Sequence, residues 1–536
     1  MSEPDSTADS WYEATRVASP ERGALNYELD TDVCVIGAGL AGLTVAREVA
    51  RRGWSVAVLE AARVAWAASG RNTGFVLPGF HEDIDSMVER IGLDHAKQLY
   101  ALSVHGVDYV RRAIEETGMP GVNPVPGWLH VSKTAGDEEV RASVERLRWI
   151  GADCEAWPTE RVREALPNPR YFAGIHYPRA FHIHPLNYAL GLAADAEARG
   201  VRIFEGTPAL SIDPSGVRKR IATPDARVRA PHVVLACNVH LGELMPELAA
   251  TLLPITTYVM VSEPIPALSE VIRYRGAVSD TDRADNHYRI VGGDHPGQQR
   301  LQWAGRVRLW EADPRTVARG LQADIRRNFP ALGKVEIAHL WGGTLGRAIH
   351  RMPQIGQIEP GLWVASGFGG HGLNTTAMAG ELVARAIVEN DETWRLFAPY
   401  ELVWAGGTFG RVLAQGLYWG SRPLQRAEEE LARYREQGRA RRAARIAARI
   451  KAEAEAALKA RAAAAARAAA AQAAAARAAE EGAAQEAAPA EHAAQFAHAE
   501  PQRPEFGHRQ HPPEPAEAEA PETTIVPRAG GGPSTH

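Results

Sequence analysis

Three glycines near the start of the chain have the spacing of an anion-binding turn. They lie in the segment Gly37-Ala38-Gly39-Leu40-Ala41-Gly42. Gly37 permits a tight turn, Gly39 lets the backbone approach a ligand closely, and Gly42 allows a helix to pack tightly on a strand. A helix that begins here offers free N–H groups and a positive dipole end to a diphosphate. The segment therefore predicts a dinucleotide site.

A carboxylate and a second loop follow at positions that suit the same ligand. Glu60 lies eighteen residues after Gly42, where a carboxylate accepts hydrogen bonds from ribose hydroxyls. Because a carboxylate repels a 2′-phosphate, Glu60 argues against NADP and leaves NAD and FAD open. The loop 67–74 is rich in small residues and carries Ser69 and Arg71. It suits a second grip on phosphate and the close approach of a flat ring.

The elements that must position these residues form a β-α-β unit. Asp32–Ile36 has the composition of a buried strand, Leu40–Arg52 predicts a helix closed by Gly53, and Ser55–Leu59 predicts the next strand. The main body continues to alternate short apolar runs with helical patterns. This alternation predicts an α/β fold.

Length and composition limit the class of protein. A chain of 536 residues exceeds what one core holds, so at least two folding units are expected. Its apolar runs are too short for a polytopic membrane protein, and its polar, acidic N-terminus predicts a cytoplasmic location. Three cysteines without a Cys-x-x-Cys pair argue against metal as the main chemistry. The main body has no strongly basic segment, which argues against nucleic acid as a partner.

The composition changes sharply near Pro423. From 421 to 487, long alanine runs with spaced Arg and Glu predict a helical extension. Residues 488–536 are rich in Pro, Glu, Gly and Gln and are predicted to be disordered. A solvated single helix is the simplest interpretation of the extension. The alternatives are a helix that self-associates, binds a partner or contacts an anionic surface.

Four segments together resemble a known family. The run Asp32–Gly74 is similar to FAD-dependent amine and amino-acid oxidoreductases related to D-amino-acid oxidase, glycine oxidase and sarcosine oxidase, and within that group most similar to gamma-glutamylputrescine oxidases. His184–Leu190 opens a helix, Val233–Asn238 resembles a strand beside the dinucleotide, and Ser366–Asn374 resembles the family's C-terminal glycine loop. The likeness covers roughly residues 10–420.

The resemblance implies a Rossmann-like FAD-binding domain interleaved with a substrate domain built on an antiparallel sheet. Strand-like stretches at Ile255–Ser262 and Leu301–Arg306 fit such a sheet. The expected division is an N-terminal arm at 1–29, a discontinuous FAD-binding domain at 30–90, 176–254 and 336–420, and a substrate domain at 91–175 and 255–335.

The second glycine loop surrounds one imidazole and precedes a predicted helix. Its N–H groups and the helix N-terminus can stabilise negative charge on a reduced flavin, and a surface helix cap is the alternative. Two such loops over 300 residues apart predict convergence on one cofactor. The predicted FAD contacts are Gly37, Ala38, Gly39, Leu40, Ala41, Gly42, Glu60, Ala61, Ala68, Ser69, Arg71, Asn72, Thr73, Gly74, Leu210, Cys237, Asn238, Gly343, Gly367, Gly369, Gly370, His371, Gly372 and Leu373.

The resemblance also implies the chemistry. An amine carbon gives a hydride equivalent to flavin N5, which leaves an imine that water hydrolyses. The predicted catalytic residues are His350, His371 and Trp341, and the predicted substrate contacts are Arg306, Arg347 and Phe368. A structural ion pair is the alternative for each arginine, and a core position is the alternative for the tryptophan. His350 stands where relatives usually carry an aspartate, which changes the local charge.

The leading substrate hypothesis is gamma-glutamylputrescine or a related polyamine conjugate. D-amino acids, glycine and N-methyl amino acids are the alternatives, and a flavin-binding scaffold with a partner-binding tail is a hypothesis of another class. O₂ and an electron carrier both remain open as the acceptor. Some relatives tether their flavin through a cysteine near 350, but no cysteine follows Cys237, so the FAD is predicted to be noncovalent.

Overall fold

A computed structural model describes residues 10–281, 286–293, 295–310 and 312–486. The chain divides into two compact units, residues 1–444 and 445–536. All of the described strands belong to the first unit, and the described part of the second unit is helical. The N-terminal nine residues and the predicted disordered segment 488–536 lie outside the described residues.

The strands are numbered in chain order. They are β1 (Leu29–Asp30), β2 (Val33–Ile36), β3 (Val56–Leu59), β4 (Phe75–Val76), β5 (Val125–Val131), β6 (Glu155–Trp157), β7 (Gly174–His182), β8 (Arg202–Phe204), β9 (Ser211–Asp213), β10 (Lys219–Ala222), β11 (Arg227–Ala230), β12 (His232–Leu235), β13 (Leu253–Ser262), β14 (Ala277–Asp280), β15 (His287–Gly292), β16 (Gln299–Arg308), β17 (Ile337–Arg347), β18 (Gln354–Glu359) and β19 (Leu362–Ser366).

The α-helices are numbered in the same way. They are α1 (Trp11–Ala14), α2 (Leu40–Arg51), α3 (Ile84–Ile91), α4 (Leu93–Thr117), α5 (Asp137–Trp149), α6 (Thr159–Ala165), α7 (Pro185–Ala198), α8 (Pro246–Ala249), α9 (Leu268–Val271), α10 (Pro314–Asn328), α11 (Gly372–Glu389) and α12 (Gly407–Glu486).

A six-stranded sheet carries the first glycine segment. Its order is β18-β19-β12-β2-β3-β8, and all pairs are parallel except β18 with β19. Strands β2 and β3 are buried along their whole length, as expected where helices cover both faces of a parallel sheet. Helix α2 connects β2 to β3 and packs on α7 and α11. The predicted β-α-β unit and the α/β fold class are confirmed.

A nine-stranded sheet forms the other large layer. Its order is β17-β13-β16-β15-β14-β5-β7-β4, with β6 added on β7. Neighbours are antiparallel except β14 and β5. The two predicted strands within 255–262 and 301–306 are confirmed as parts of β13 and β16. The predicted domain boundaries stay a prediction, and this sheet also takes in β4, most of β7 and β17, which lie outside 91–175 and 255–335.

The C-terminal helix begins earlier than predicted. Helix α12 starts at Gly407, after Gly406 and Gly407 adopt positive φ angles of 81° and 52°, whereas composition placed the start near residue 421. The segment before Pro423 contains several residues with moderate or good helix propensity, but its aromatic and glycine content hid this pattern. Among the described residues, no helix is long and apolar enough to cross a membrane.

Candidate active site

The two glycine segments meet at a cavity of about 1030 Å³. One end is lined by the turn after β2, and another part by the loop between β19 and α11. The predicted contacts that line it are Gly37, Gly39, Leu40, Ala41, Glu60, Ala61, Ala68, Ser69, Asn72, Thr73, Cys237, Asn238, Arg347, Phe368, Gly369, Gly370, His371, Gly372 and Leu373. Tertiary folding therefore brings together segments that are more than 300 residues apart.

The turn after β2 needs glycine for specific steric reasons. Gly37 has a φ of 104°, and a Cβ there would lie 2.9 Å from the Ala236 carbonyl oxygen. A Cβ on Gly42 would overlap the Gly37 carbonyl oxygen, so Gly42 sets how closely α2 approaches the turn. Gly42 itself lies behind the cavity wall, where it acts on the shape of the turn. Gly39 is the N-cap of α2, and the free N-terminal N–H groups of that helix suit a diphosphate.

Glu60 is fixed at the end of β3 by the glycine turn. One carboxylate oxygen accepts the Ala38 backbone N–H at 2.8 Å, and the other accepts the Ala62 N–H at 2.8 Å. Ala38 therefore contributes through its backbone and does not line the cavity. Burial raises the pKa of Glu60, and these backbone hydrogen bonds oppose that shift. A carboxylate has further lone pairs to accept ribose hydroxyls, so the geometry fits a dinucleotide.

The loop after β3 closes over the N-terminus of α2. The Ser69 hydroxyl accepts the Leu40 backbone N–H at 3.0 Å. The Asn72 amide donates to the Ser69 carbonyl at 2.8 Å and accepts the Gly74 N–H at 2.8 Å, which braces the loop. A Cβ on Gly74 would overlap the Ile183 carbonyl oxygen, so this glycine packs against the protein rather than the cavity.

Arg71 is not among the residues that line the cavity, and its contact with phosphate stays a prediction. Its guanidinium donates to the Gly342 carbonyl at 2.9 Å, and its own carbonyl accepts the Trp341 indole N–H at 2.9 Å. Gly343 packs beside the Arg71 side chain. These three predicted site residues, Arg71, Trp341 and Gly343, join the loop to β17.

The second glycine loop places the N-terminus of α11 at the cavity. Gly367 and Gly369 have positive φ angles of 69° and 58°, and His371 is the N-cap residue. Gly367 lies outside the lining, where its N–H donates to the Asn238 amide oxygen at 3.3 Å. Asn238 follows β12, so this contact ties the loop to the central sheet. The free N–H groups at the start of α11 can stabilise negative charge in the cavity.

A group of charged and imidazole side chains lines the rest of the cavity. Arg347 and Arg351 provide positive charge, and His81 and His287 join His371. His81 packs against Gly369 and Gly370 of the second loop. Sequence reasoning missed His81, His287 and Arg351, because none of them belongs to a motif and nothing in the local pattern distinguishes them from other polar residues.

Burial keeps these imidazoles neutral. It lowers the pKa of His81 to about 3, and the charge of Arg347 adds to the effect. Burial likewise lowers the pKa of His287 to about 3 and shifts the pKa of His371 downward. The Nδ1 atoms of His287 and His371 are buried and have no hydrogen-bond partner among the residues that the structure describes. The cavity therefore opposes positive charge on any group bound beside these rings.

The depressed pKa values predict acid sensitivity. Between pH 6.5 and about 3, His81 and His287 are protonated in the unfolded chain but neutral in the native protein. The free energy of unfolding therefore falls as the pH falls. Each ring contributes up to about 1.4 kcal/mol per pH unit. Denaturant unfolding should give a lower free energy at pH 5 than at pH 7.5, and His287→Gln should reduce the difference. Equal pH dependence in the variant would contradict the assignment.

Three predicted residues lie away from the cavity. Arg306 forms an ion pair with Asp324 at 2.8 Å, as the structural alternative for that arginine expects. His350 is buried, its Nδ1 accepts the Met352 backbone N–H at 3.1 Å, and its ring lies beside Tyr400. Leu210 is 58% exposed, while its neighbours at 208 and 209 line the cavity. The catalytic and binding roles of these residues stay predictions.

Comparison with known proteins identifies the family. A family model described as DAO, FAD dependent oxidoreductase, matches residues 32–386. The chain is 31% identical over 402 residues to gamma-glutamylputrescine oxidoreductase of Escherichia coli, covering 73% of this chain and 91% of the relative. It is 30% identical over 380 residues to the probable oxidoreductase OrdL of Haemophilus influenzae, covering 68% and 85%.

Solved structures share the fold. Glycine oxidase from Geobacillus kaustophilus matches with a TM-score of 0.56 and 22% identity, over 70% of this chain and 99% of that one. L-proline dehydrogenase from P. horikoshii matches with a TM-score of 0.57 and 20% identity, over 70% and 100%. The cavity is lined by the N-termini of two helices and by the Glu60 carboxylate, an arrangement that fits a dinucleotide such as FAD. The chain is therefore an FAD-dependent oxidoreductase of the DAO family, a class of enzymes that act on amines and amino acids.

Proposed function

We propose that the chain oxidises the C–N bond of a primary or secondary amine that carries a carboxylate. Gamma-glutamylputrescine or a related polyamine conjugate is the leading substrate. The observation that carries the proposal is the joining of two glycine loops, two arginines and neutral imidazoles in one cavity. The Escherichia coli relative named for gamma-glutamylputrescine adds support.

The residues of this chain supply binding and electrostatics. When bound, FAD supplies the acceptor for a hydride equivalent from the amine carbon. Amines react in their neutral form, and the burial and Arg347 charge that hold His81 neutral also disfavour a substrate ammonium. Phe368 and Phe75 add apolar surface to the cavity lining and help to exclude water.

The two arginines favour a substrate with a carboxylate. Guanidinium groups recognise carboxylates through charge-assisted, often bidentate hydrogen bonds. Both Arg347 and Arg351 line the cavity, so either can contact an acidic group while the amine lies toward the glycine loops. D-amino acids, glycine and N-methyl amino acids also carry a carboxylate and are the alternative substrates.

An anaerobic screen tests the proposed function. The purified holoenzyme is mixed with polyamines, their glutamyl conjugates, N-methyl amino acids and D-amino acids, and flavin absorbance is followed. We expect glutamyl conjugates to bleach the flavin faster than free polyamines, because only the conjugates offer the arginines a carboxylate. A flavin that no amine or amino acid reduces would contradict the proposal. Reoxidation by O₂ or by an added carrier then identifies the acceptor.

We expect the FAD to be held without a covalent bond. Cys237 lines the cavity, but burial raises the pKa of its thiol to about 12, so it is a weak nucleophile at neutral pH. Acid precipitation should leave a colourless protein pellet and all flavin in the supernatant. A yellow pellet would contradict this expectation.

A flavin-binding scaffold with a partner-binding tail is the alternative of another class. Deletion of the residues after about 425 separates the two hypotheses. Unchanged turnover with lost association would keep the enzyme and make the tail an accessory, whereas an intact but unreactive flavin would favour the scaffold. The cytoplasmic location stays a prediction.

A further inference from the structure

The first part of α12 is attached to the body of the protein through one polar face. Gln425 donates to the Thr281 carbonyl at 3.0 Å, and Glu436 accepts from Arg163 at 2.6 Å. Gln415 is buried on the same side. At 100° per residue these three helix positions fall within about 80° of one another. The helix therefore has a defined inner face. That face is mainly polar, and Ala414 beside it packs against an apolar cluster that includes Leu309.

The opposite face is apolar and exposed. Its side chains lie 100° to 180° around the helix from Gln415 and Glu436, and they are between 48% and 74% exposed. Single exposed apolar residues are common, but a continuous row of them marks an interaction surface. The row consists of Phe409, Leu413, Leu417, Leu424, Leu431 and Tyr434.

The row follows a seven-residue repeat. Leu417, Leu424 and Leu431 follow one another at intervals of seven residues. A second series with the same interval begins at Leu413. Two interleaved series of this kind form the seam of a two-stranded coiled coil. Two small residues in the second series let a partner helix approach closely. The second series is Leu413, Gly420, Ala427 and Tyr434.

Charges beside the seam suit a second copy of the same helix. With Leu424 and Leu431 at the first heptad position, Glu430 and Arg435 occupy the two flanking positions that meet across a parallel pair. Within one chain Glu430 also accepts exposed hydrogen bonds from Arg433 at 2.8 Å and from Arg170 at 3.2 Å. In a symmetric dimer, Glu430 of each copy faces Arg435 of the other, so this opposite-charge contact forms twice. Glu428 and Glu430 border the row and would repel an anionic lipid surface, so a membrane fits the row less well.

We propose that this row pairs with the same row of a second copy, which forms a parallel dimer through residues 413–434. The inference goes beyond the proposed function and does not depend on the substrate. Leu417, together with Ala414 and Gln415, also lines the cavity. The partner helix therefore covers the exposed side of Leu417 and shields this end of the cavity from water.

Sedimentation and light scattering of the full-length holoenzyme test the dimer. Wild type should have twice the 58.0 kDa chain mass over a wide range of micromolar concentrations. Leu424→Glu with Leu431→Glu places four carboxylates in the dimer seam and should give a monomer with unchanged flavin content. Arg426→Glu, at an exposed position beside the seam, should remain dimeric. A monomeric wild type, or a dimeric double variant, would overturn the proposal.

Disulfide formation tests the orientation and the register. In a parallel pair the two copies of Ala427 face each other, so Ala427→Cys should form an interchain disulfide under mild oxidation. Arg426→Cys lies outside the seam and should not. The native Cys34 and Cys154 are buried, so they do not compete. Equal crosslinking of both variants would overturn the register, and cosedimentation of a monomer with phosphatidylserine vesicles would assign the row to a membrane instead.

Discussion

Replacing Gly42 with alanine is expected to weaken FAD binding about thirtyfold. The new Cβ would overlap the Gly37 carbonyl oxygen and lie 3.1 Å from a Val35 methyl group, so α2 has to move away from the turn. Overpacking of this kind costs about 2 kcal/mol. If the substitution destabilises the FAD-bound protein by this amount relative to the apoprotein, the dissociation constant for FAD rises about thirtyfold. Titration of apoprotein with FAD, followed by flavin fluorescence, measures the change.

Gly23→Ala is the matched control for this prediction. A Cβ at Gly23 has no heavy atom within 4 Å, so the same chemical change meets open space. This variant should bind FAD as wild type does. Unchanged affinity in Gly42→Ala would show that the turn can relax without loss of the cofactor site.

Replacing Arg351 with glutamine is expected to lower kcat/KM about thirtyfold for a substrate that carries a carboxylate. Arg351 lines the cavity, and a hydrogen bond to a charged group contributes about 2 kcal/mol. That loss corresponds to about a thirtyfold fall in kcat/KM. Arg351→Lys should retain part of the rate, because it keeps the charge but loses the planar bidentate geometry.

A pair of substrates separates recognition from general damage to the site. Gamma-glutamylputrescine and 4-aminobutanoyl-putrescine differ by the carboxylate alone. Arg351→Gln should slow the first much more than the second. A proportional loss with both substrates would mean that Arg351 acts on the fold or the flavin rather than on the acidic group.

The cofactor site was largely predictable because its determinants are local. Gly37, Gly39 and Gly42 act within one turn, and Glu60 is only one β-α-β unit away. Steric requirements of this kind depend only on residues within a short segment of the chain. The second loop, around His371, was predictable for the same reason. The sequence contains two glycine-rich segments that each precede a helix, which predicts that both bind one cofactor. In the structure both segments line the same cavity.

The polar lining was predicted much less well. Arg306, His350 and Arg71 have suitable chemistry, yet each makes a contact within the protein: Arg306 with Asp324, Nδ1 of His350 with a backbone N–H, and Arg71 with a backbone carbonyl. His81 and Arg351 line the cavity without any motif. Side-chain type alone does not distinguish a ligand contact from a structural one, because both use the same hydrogen bonds.

The sequence by itself determined the β-α-β unit, the two glycine loops, the FAD-type chemistry and the long helical extension, since each depends on propensity and sterics within a few turns of chain. Only the tertiary structure decided that His81, His287 and Arg351 share a cavity with His371, and that α12 turns its leucines outward. Those arrangements depend on strand pairing between residues far apart in sequence. Sequence patterns define the face of an element, but packing against distant elements decides what that face meets.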